Sequence, residues 1–530
     1  MPMPGKPYYF RLITAGLFNL LLFAVFICLA HPIYDTNEDL YILYQLSGGF
    51  GSTPTELLHY NHTIPPFLGI FIKNLFHVYD KVNWYTVILL LAHYLACTSI
   101  TVQILKKATT TIGLLAWLTI FIVFESQLLL TINFTNTAIV LGLSGTILLA
   151  TYRAGNSIFQ LIYAGLFLVA GSLFRIHMLI PIVGIALPFF IFPYRPQRLM
   201  AIASTLAITV VSILLLNYTH QAYYKSNISG WAKEEEHRQK IFSLYNNRTL
   251  HQPLPQEKWY TEFSLIHSGL PIDTSFLSDK ALSQMLVDLK AKRTARNPVI
   301  ADGKNWFFIN NRILFCVVLV LFLLSMPDRK HTFLLAASVV LIVGGLIFLN
   351  TNYKLADYLV ISSLYLLSLL ILLSHQKRPR YFYIYTSLLA VIMFWGTVRI
   401  YKNNQRNIAQ IASFKEAYQE ISATPQNLFI IADDSFPLQK FYVFDLPKQF
   451  RLPNFINSEL FMNNTYLPVL NRFGSDGLQS IPYNNHIFFR GKQLDALENY
   501  FNLTSGKQVI TVFDNSQSQS QKVYRIIFRP

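Results

Sequence analysis

The sequence predicts an α-helical polytopic membrane protein that ends in a small polar α/β domain. Hydrophobic residues make up 53% of the 530 residues, and the mean hydropathy is +0.37. Charged residues make up only 13%, where about 25% is usual for a globular protein. Such a chain cannot cover its surface with polar groups in water, so lipid must cover much of it. This composition excludes a cytosolic enzyme, a disordered protein and a collagen-like fibre.

About eleven apolar runs are long enough to cross a bilayer, which requires about 20 apolar residues in a helix. They cover residues 12–30, 85–105, 108–124, 134–152, 157–174, 177–193, 199–217, 308–326, 332–350, 358–374 and 381–400. The first run follows Lys6 and Arg11 and resembles a signal peptide. It is longer than the apolar region of such peptides, so we interpret it as a retained signal anchor.

The net charge of +16 indicates membrane orientation rather than nucleic-acid binding, because the basic residues lie at the ends of apolar runs. A cytoplasmic N-terminus places one set of them on the cytoplasmic side: Lys6, Arg11, Lys106, Lys107, Arg153, Arg195, Arg198, Arg329, Lys330, Lys377, Arg378 and Arg380. This orientation requires residues 64–78 to form an interfacial helix rather than a span. We therefore expect a multi-pass membrane protein with its N-terminus in the cytoplasm and its C-terminus outside.

Two domains are expected, a transmembrane domain of residues 1–400 and an extracytoplasmic α/β domain of residues 401–530. The transmembrane domain carries two long outer loops, residues 32–84 and 218–307, and charged helices with solvated faces are expected in the second loop. In the C-terminal domain, apolar spacing from Ile408 to Ile421 predicts an amphipathic helix. Strands are predicted at Leu428 to Ala432, His486 to Phe489, Val509 to Phe513 and Val523 to Phe528.

Three acidic residues, Asp35, Glu38 and Asp39, follow the first apolar run. Carboxylates at a membrane exit can supply a general base or bind a divalent cation. They can also belong to the first turn of a helix that starts near Leu40, with Thr36 or Asn37 as its N-cap. The two interpretations are compatible.

Four basic residues are candidate substrate-binding groups on the same side: Arg175, His177, Lys354 and Lys73. The planar guanidinium of Arg175 suits a lipid-linked phosphate, and Lys354 is a second phosphate-binding candidate. The alternative role of Arg175 is snorkelling or pairing with a buried acid. His177 can be a turn residue, and Lys354 can form an ion pair with Asp357 that closes a loop.

The arrangement resembles the GT-C class of polytopic membrane glycosyltransferases. The likeness rests on the segment from Asp35 to Asp39, on the interfacial stretch from Tyr60 to Tyr85 with its terminal Asn-Trp-Tyr, and on Arg175. The segment from Asn37 to Tyr85 also resembles bacterial multispan proteins associated with surface polysaccharides, and this resemblance implies a location in the bacterial cytoplasmic membrane. We further interpret Trp84-Tyr85 as an interfacial anchor.

The resemblance implies a polyprenyl-phosphate or polyprenyl-diphosphate sugar donor and a glycan or lipid acceptor. Asp39, or Asp35 as second choice, would deprotonate the acceptor hydroxyl, and Arg175 and Lys354 would neutralise the leaving phosphate. The resemblance implies no obligatory cofactor, although the acidic cluster permits a divalent cation.

Three alternatives remain open at the level of the sequence. A polysaccharide polymerase or ligase would use the same outer site with lipid-diphosphate glycans. A transporter or flippase would place ionisable residues near the bilayer midplane, whereas this sequence places them, Glu125 included, at the ends of runs. A non-catalytic assembly scaffold is the third alternative.

Overall fold

The computed structural model describes most of the chain, and its helices dominate the fold. The described residues are 8–51, 53–58, 64–153, 157–192, 195–247, 250–267, 276–292, 312–325, 329–352, 357–374, 382–431, 436, 438–457, 466–490, 494–513 and 524–528. Within these ranges, eight helices are long and apolar enough to span a membrane. The prediction of an α-helical membrane protein is confirmed.

The helical bundle is built from long apolar helices whose bounds lie close to the predicted runs. They are α1 (Tyr8–Leu29), α4 (Trp84–Lys107), α5 (Thr110–Ile120), α6 (Ser126–Leu130), α7 (Phe134–Thr151), α8 (Phe159–Ile191), α9 (Pro196–Asn227), α13 (Arg312–Ser325), α14 (Arg329–Asn352), α15 (Asp357–Ser374) and α16 (Phe382–Ser422). A π-helical turn, Phe121–Glu125, joins α5 to α6. Helix α7 lies at the centre, with nearly all of its residues buried.

Helix α8 is a hairpin of two antiparallel halves, because the backbone of Arg175 is extended (φ −162°, ψ 97°). At one end of α7, Leu148 accepts a hydrogen bond from Gln160 in the first half. At the same end, Arg198 bridges the carbonyls of Ala150 and Phe189, and Phe189 belongs to the second half. Arg175 contacts the opposite end of α7. The chain therefore turns at Arg175, as the two separate apolar runs predict.

The two ends of the bundle differ in charge. Lys107, Arg153, Arg195, Arg198 and Lys330 surround one pocket at one end. The opposite ends of the same helices carry the first outer loop and the acidic residues. The sequence-based grouping of these basic residues on one side is confirmed.

The segment between α1 and α4, which the sequence predicts as the first outer loop, contains two short helices and one strand in its described residues. These are β1 (Ile33–Tyr34), α2 (Asn37–Ser47) and α3 (Pro66–Val78). Helix α3 is about 20 Å long at 1.5 Å per residue, which is shorter than the bilayer core of about 30 Å. Phe67 and Phe71 are exposed on one face and Ile72 is buried on the other. This amphipathic helix agrees with the interfacial interpretation of residues 64–78.

The described residues of the predicted second outer loop and of the C-terminal region form two further packed units. Helices α10 (Trp231–Asn246), α11 (Tyr260–His267) and α12 (Asp279–Ala291) share a small apolar core. The C-terminal sheet has the strand order β4-β3-β5-β7-β6. Its elements are β3 (Leu428–Ile431), β4 (Phe455–Asn457), α17 (Leu467–Arg472), β5 (Ile487–Arg490), α18 (Leu494–Ser505), β6 (Val509–Phe513) and β7 (Tyr524–Phe528). Strand β4 is absent from the sequence-based prediction, and the predicted boundary at residue 400 falls inside the continuous helix α16.

The C-terminal region is docked on the first outer loop through backbone groups. Asn83 donates from Nδ2 to the carbonyl of Val443 over 2.8 Å. The hydroxyl of Tyr44 donates to the carbonyl of Phe450 over 2.5 Å, and the N–H of Leu452 donates to the carbonyl of Gly49 over 2.9 Å. These contacts place the C-terminal region beside the acidic residues of the loop.

Candidate functional site

Three consecutive residues at the start of α7 hold three of the predicted site residues. Asn133 donates from Nδ2 to Oδ2 of Asp35 over 3.0 Å. The backbone N–H of Phe134 donates to Oδ1 of Asp39 over 3.0 Å, and Thr135 accepts a hydrogen bond of 2.7 Å from Nη1 of Arg175. The predicted acids and the predicted arginine therefore meet at one helix N-terminus.

Local structure explains why these residues meet. Strand β1 (Ile33–Tyr34) pairs in parallel with β2 (Thr131–Ile132), so the residues that follow the two strands come side by side. Asn133 then caps α7 by accepting a hydrogen bond from the N–H of Asn136. Asp35 follows β1 just as Asn133 follows β2, which places the carboxylate against the cap.

Asp39 is fully buried, and both of its carboxylate oxygens are occupied. Oδ1 accepts from the Tyr85 hydroxyl (2.7 Å) and from Phe134, and Oδ2 accepts from the Thr36 hydroxyl (2.6 Å). Burial raises the pKa of Asp39 to about 7, although these hydrogen bonds lower it in part. Asp39 thus joins α2, α4 and α7 at one point. Thr36 is the N-cap residue of α2, as the sequence predicts, but its hydroxyl donates to Asp39 and makes no capping hydrogen bond to the backbone of α2.

Asp35 is the most exposed of the three carboxylates, although protein surrounds it on several sides. Partial desolvation by this surrounding protein raises the pKa of Asp35, while the charge of Lys440 and the hydrogen bond from Asn133 act in the opposite direction. The charge of Asp357 at the start of α15 raises it further. A carboxylate with a raised pKa is a stronger base than an ordinary aspartate.

The guanidinium of Arg175 is fixed by neighbours on two helices. Besides its hydrogen bond to Thr135, its Cζ lies 5.5 Å from the ring centroid of Phe134 and 5.7 Å from that of Tyr358. Tyr358 directly follows Asp357 in α15. Cation–π contacts of this kind hold the planar group without neutralising it. The charge of Arg175 is therefore available to an anion at this end of α7.

The remaining predicted residues lie in different places. Glu38 is partly buried, and its charge raises the pKa of Asp39. His177 is exposed, and within the described ranges it makes no hydrogen bond to the cluster. Lys354 lies outside the described residues. Lys73 pairs with Glu56 and lines a separate recess of about 500 Å³ beside His77.

The Asn-Trp-Tyr triplet before α4 supports the site rather than only anchoring the membrane interface. Asn83 caps α4 by accepting from the N–H of Thr86 and also donates to the Tyr34 hydroxyl. Tyr85 is fully buried and donates to Asp39. The interpretation of Tyr85 as a belt residue is wrong, because no part of its side chain faces lipid. Trp84 remains partly exposed and donates to the carbonyl of Tyr79.

A buried acid–imidazole pair within the bundle is absent from the sequence-based prediction. Nδ1 of His93 lies 2.6 Å from Oε1 of Glu125, and both side chains are fully buried. The Tyr365 hydroxyl donates to Oε2 of Glu125 over 3.1 Å. His93 lies nine residues beyond Trp84, about 14 Å along the helix. The prediction that Glu125 lies at the outer end of a span is wrong, because the helical span continues to Leu130 and Glu125 pairs with His93 inside the bundle. The sequence signal is a lone His at the middle of an apolar run.

No three His, Cys, Asp or Glu side chains converge as metal ligands within the part of the chain that the structure describes. No protein-family model matches the sequence, and no curated protein matches it. The chemistry of the site must therefore be inferred from its own residues.

Proposed function

We propose that the chain is an integral membrane glycosyltransferase. It transfers a sugar from a polyprenyl-phosphate-linked donor to a glycan or lipid acceptor at the Asp35 end of the bundle. One observation carries this proposal: Asn133 and Thr135, two residues apart, hold an accessible carboxylate and a fixed guanidinium. Sugar transfer from a lipid phosphate is accelerated by a base that deprotonates the acceptor hydroxyl and by a cation that stabilises the leaving phosphate.

In this mechanism, Asp35 is the general base. It accepts the proton of the acceptor hydroxyl as that oxygen attacks the anomeric carbon. Asp35 is preferred to Asp39 because Asp39 is fully buried and already accepts three hydrogen bonds. Asp39 acts as a positioning residue that fixes α2, and with it Asp35, against α4 and α7.

The leaving group is the lipid phosphate. The bond between the anomeric carbon and the phosphate oxygen breaks as the acceptor bond forms, and the phosphate keeps the electron pair. Arg175 neutralises this growing negative charge, an electrostatic effect worth about 3 to 4 kcal/mol for comparable donors. A single displacement inverts the anomeric configuration. Lys354 remains a second proposed phosphate ligand, and the recess beside Lys73 is proposed to hold part of the acceptor.

The proposed topology has eleven spans, an N-terminus in the bacterial cytoplasm and the C-terminal domain outside. Eight helices are long and apolar enough to span a membrane in the described residues, and one of them, α8, turns back on itself and counts as two spans. The shorter helix α13 and the first half of α16 bring the count to eleven. The contact of the C-terminal region with the first outer loop supports an odd count. The basic opposite end supports its cytoplasmic placement.

The decisive experiment is a transfer assay with the full chain in liposomes. Labelled polyprenyl-phosphate hexoses are supplied with a mixed glycan acceptor pool, and release of polyprenyl phosphate is measured. We expect turnover in the wild type and a loss of about 100-fold or more in Asp35→Asn. Absence of release from every monophosphate donor, with release from a lipid-diphosphate glycan, would favour the polymerase or ligase alternative.

A second candidate function, lipid-sugar transport, is favoured by the His93–Glu125 pair. Ionisable groups deep in the bundle are typical of transport pathways. A flippase would move a fluorescent lipid-linked sugar across proteoliposomes without releasing polyprenyl phosphate. Flipping that is lost in Glu125→Gln and kept in Asp35→Asn would support transport over transfer.

A further inference from the structure

The end of the bundle opposite to Asp35 contains a pocket of about 420 Å³ whose charged lining is entirely basic in the described residues. Lys107, Arg153, Arg195, Arg198 and Lys330 all line it. They come from the ends of helices that are distant in sequence, so the fold concentrates their charges. Asp328, two residues before Lys330, lies outside the described residues.

One of the five cations has a structural role. Arg198 is buried and donates to the carbonyls at the ends of α7 and α8, namely those of Ala150, Tyr152, Phe189, Phe190 and Phe192. It satisfies carbonyl groups that a helix end leaves without partners. The other four differ from Arg198, because none of them has a hydrogen-bond or ion-pair partner within the described part of the chain.

Membrane orientation alone requires basic residues near the cytoplasmic ends of spans, but it does not require them to share a pocket. Four unpaired cations around one concavity repel one another, and a bound anion removes that repulsion. The pocket volume lies within the roughly 300–1,000 Å³ typical of small-ligand sites. The convergence therefore indicates a ligand with several anionic oxygens.

The pocket also has an apolar part to its lining. Phe189, Leu334, Leu370 and Leu373 line it beside the cations. A free inorganic anion would gain nothing from these side chains, whereas the first carbons of an acyl or prenyl chain would bury apolar surface there. We propose that this pocket binds a phosphate-bearing lipid, with the phosphate among Lys107, Arg153, Arg195 and Lys330. This site is independent of the proposed transfer reaction, which takes place at the other end of the bundle.

The test measures binding to the full-length protein in nanodiscs of zwitterionic phosphatidylcholine. The probes are dioleoyl phosphatidic acid, dioleoylglycerol, which lacks the phosphate, and inorganic phosphate, which lacks the lipid. We expect saturable binding of phosphatidic acid only. Arg195→Gln and Lys330→Gln should each weaken it about tenfold, since each removes a charge-assisted contact.

The matched control is Arg11→Gln, which removes one positive charge from the same end but outside the pocket lining. Its affinity for phosphatidic acid should equal that of the wild type, and unfolding midpoints should agree among all variants. If Arg11→Gln loses as much affinity for phosphatidic acid as the pocket variants, the pocket is not the binding site and the lipid is attracted by the overall positive charge of this end. Inorganic phosphate that binds as tightly as phosphatidic acid would overturn the lipid assignment. Unchanged affinity in both pocket variants would overturn the site altogether.

Discussion

Asn133 donates a hydrogen bond to Asp35 across ninety-eight positions of sequence, over 3.0 Å. The same asparagine accepts the N–H of Asn136 and so begins α7. One side chain therefore sets both the start of the central helix and the position of the accessible carboxylate.

Asn133→Ala removes both contacts, so we expect a loss of about 1 to 2 kcal/mol of stability from the cap and a lower kcat. Asn133→Asp keeps the cap but places a second negative charge beside Asp35, so it should lower kcat with a smaller loss of stability than Asn133→Ala. The free energy of unfolding and kcat are measured for both variants. Equal changes of the two quantities in both variants would contradict the double role of Asn133.

Lys440 is predicted to tune the base from the C-terminal region. Its charge lowers the pKa of Asp35 against the effect of burial. Lys440→Met should therefore raise that pKa and move the acidic limb of the kcat/KM profile to higher pH, because the base is lost to protonation sooner. Lys448→Met is the control, since Lys448 pairs with Asp80 instead. An identical pH profile in Lys440→Met and wild type would show that the charge of Lys440 does not affect the pKa of Asp35.

Asp39 is predicted to make stability depend on pH. Its folded pKa of about 7 lies above its ordinary value of 3.8. Between these values the folded chain holds a proton that the unfolded chain has lost, so stability falls as pH rises from about 4 to 7 and levels off above 7. The slope is at most about 1.4 kcal/mol per pH unit. Unfolding of wild type and Asp39→Asn should be compared from pH 4.5 to 8. If the difference in the free energy of unfolding between wild type and Asp39→Asn stays constant over this pH range, the raised pKa of Asp39 is contradicted.

The fold and the site were predictable to different extents. Apolar run lengths predicted the helices and even the turn at Arg175, because this charged residue interrupts a long apolar stretch of the sequence. The acids and Arg175 could be selected as candidates, since ionisable groups near lipid are rare. The sequence could not show that Asp35 is a better candidate for the base than Asp39. The burial of Asp39 depends on contacts with Tyr85 and Phe134, which lie 46 and 95 positions away in the sequence.

Contacts between distant segments also explain the features that the sequence did not predict. Strand β4 has only three residues, too few for an alternating pattern, and it exists because it pairs with β3. Lys440 belongs to a polar tail with no recognisable motif. It reaches Asp35 only because that tail is docked on the first outer loop.

The His93–Glu125 pair should be a major contributor to the stability of the bundle. Removing one partner leaves the other buried without compensation, which costs about 3 to 5 kcal/mol. We expect His93→Ala and Glu125→Ala each to lower the unfolding midpoint strongly in detergent. The double variant should be less destabilised than the sum of the two single variants. Additive losses would show that the two side chains act independently.

The central claim is that Asp35, held by Asn133, is the base of a sugar transfer whose leaving phosphate is neutralised by Arg175. The most direct measurement is release of polyprenyl phosphate from a labelled polyprenyl-phosphate hexose by wild type, Asp35→Asn and Asp39→Asn in liposomes. The account predicts turnover in wild type, near-complete loss in folded Asp35→Asn, and retention of most activity in Asp39→Asn. Full activity in Asp35→Asn, or loss confined to Asp39→Asn, would contradict it.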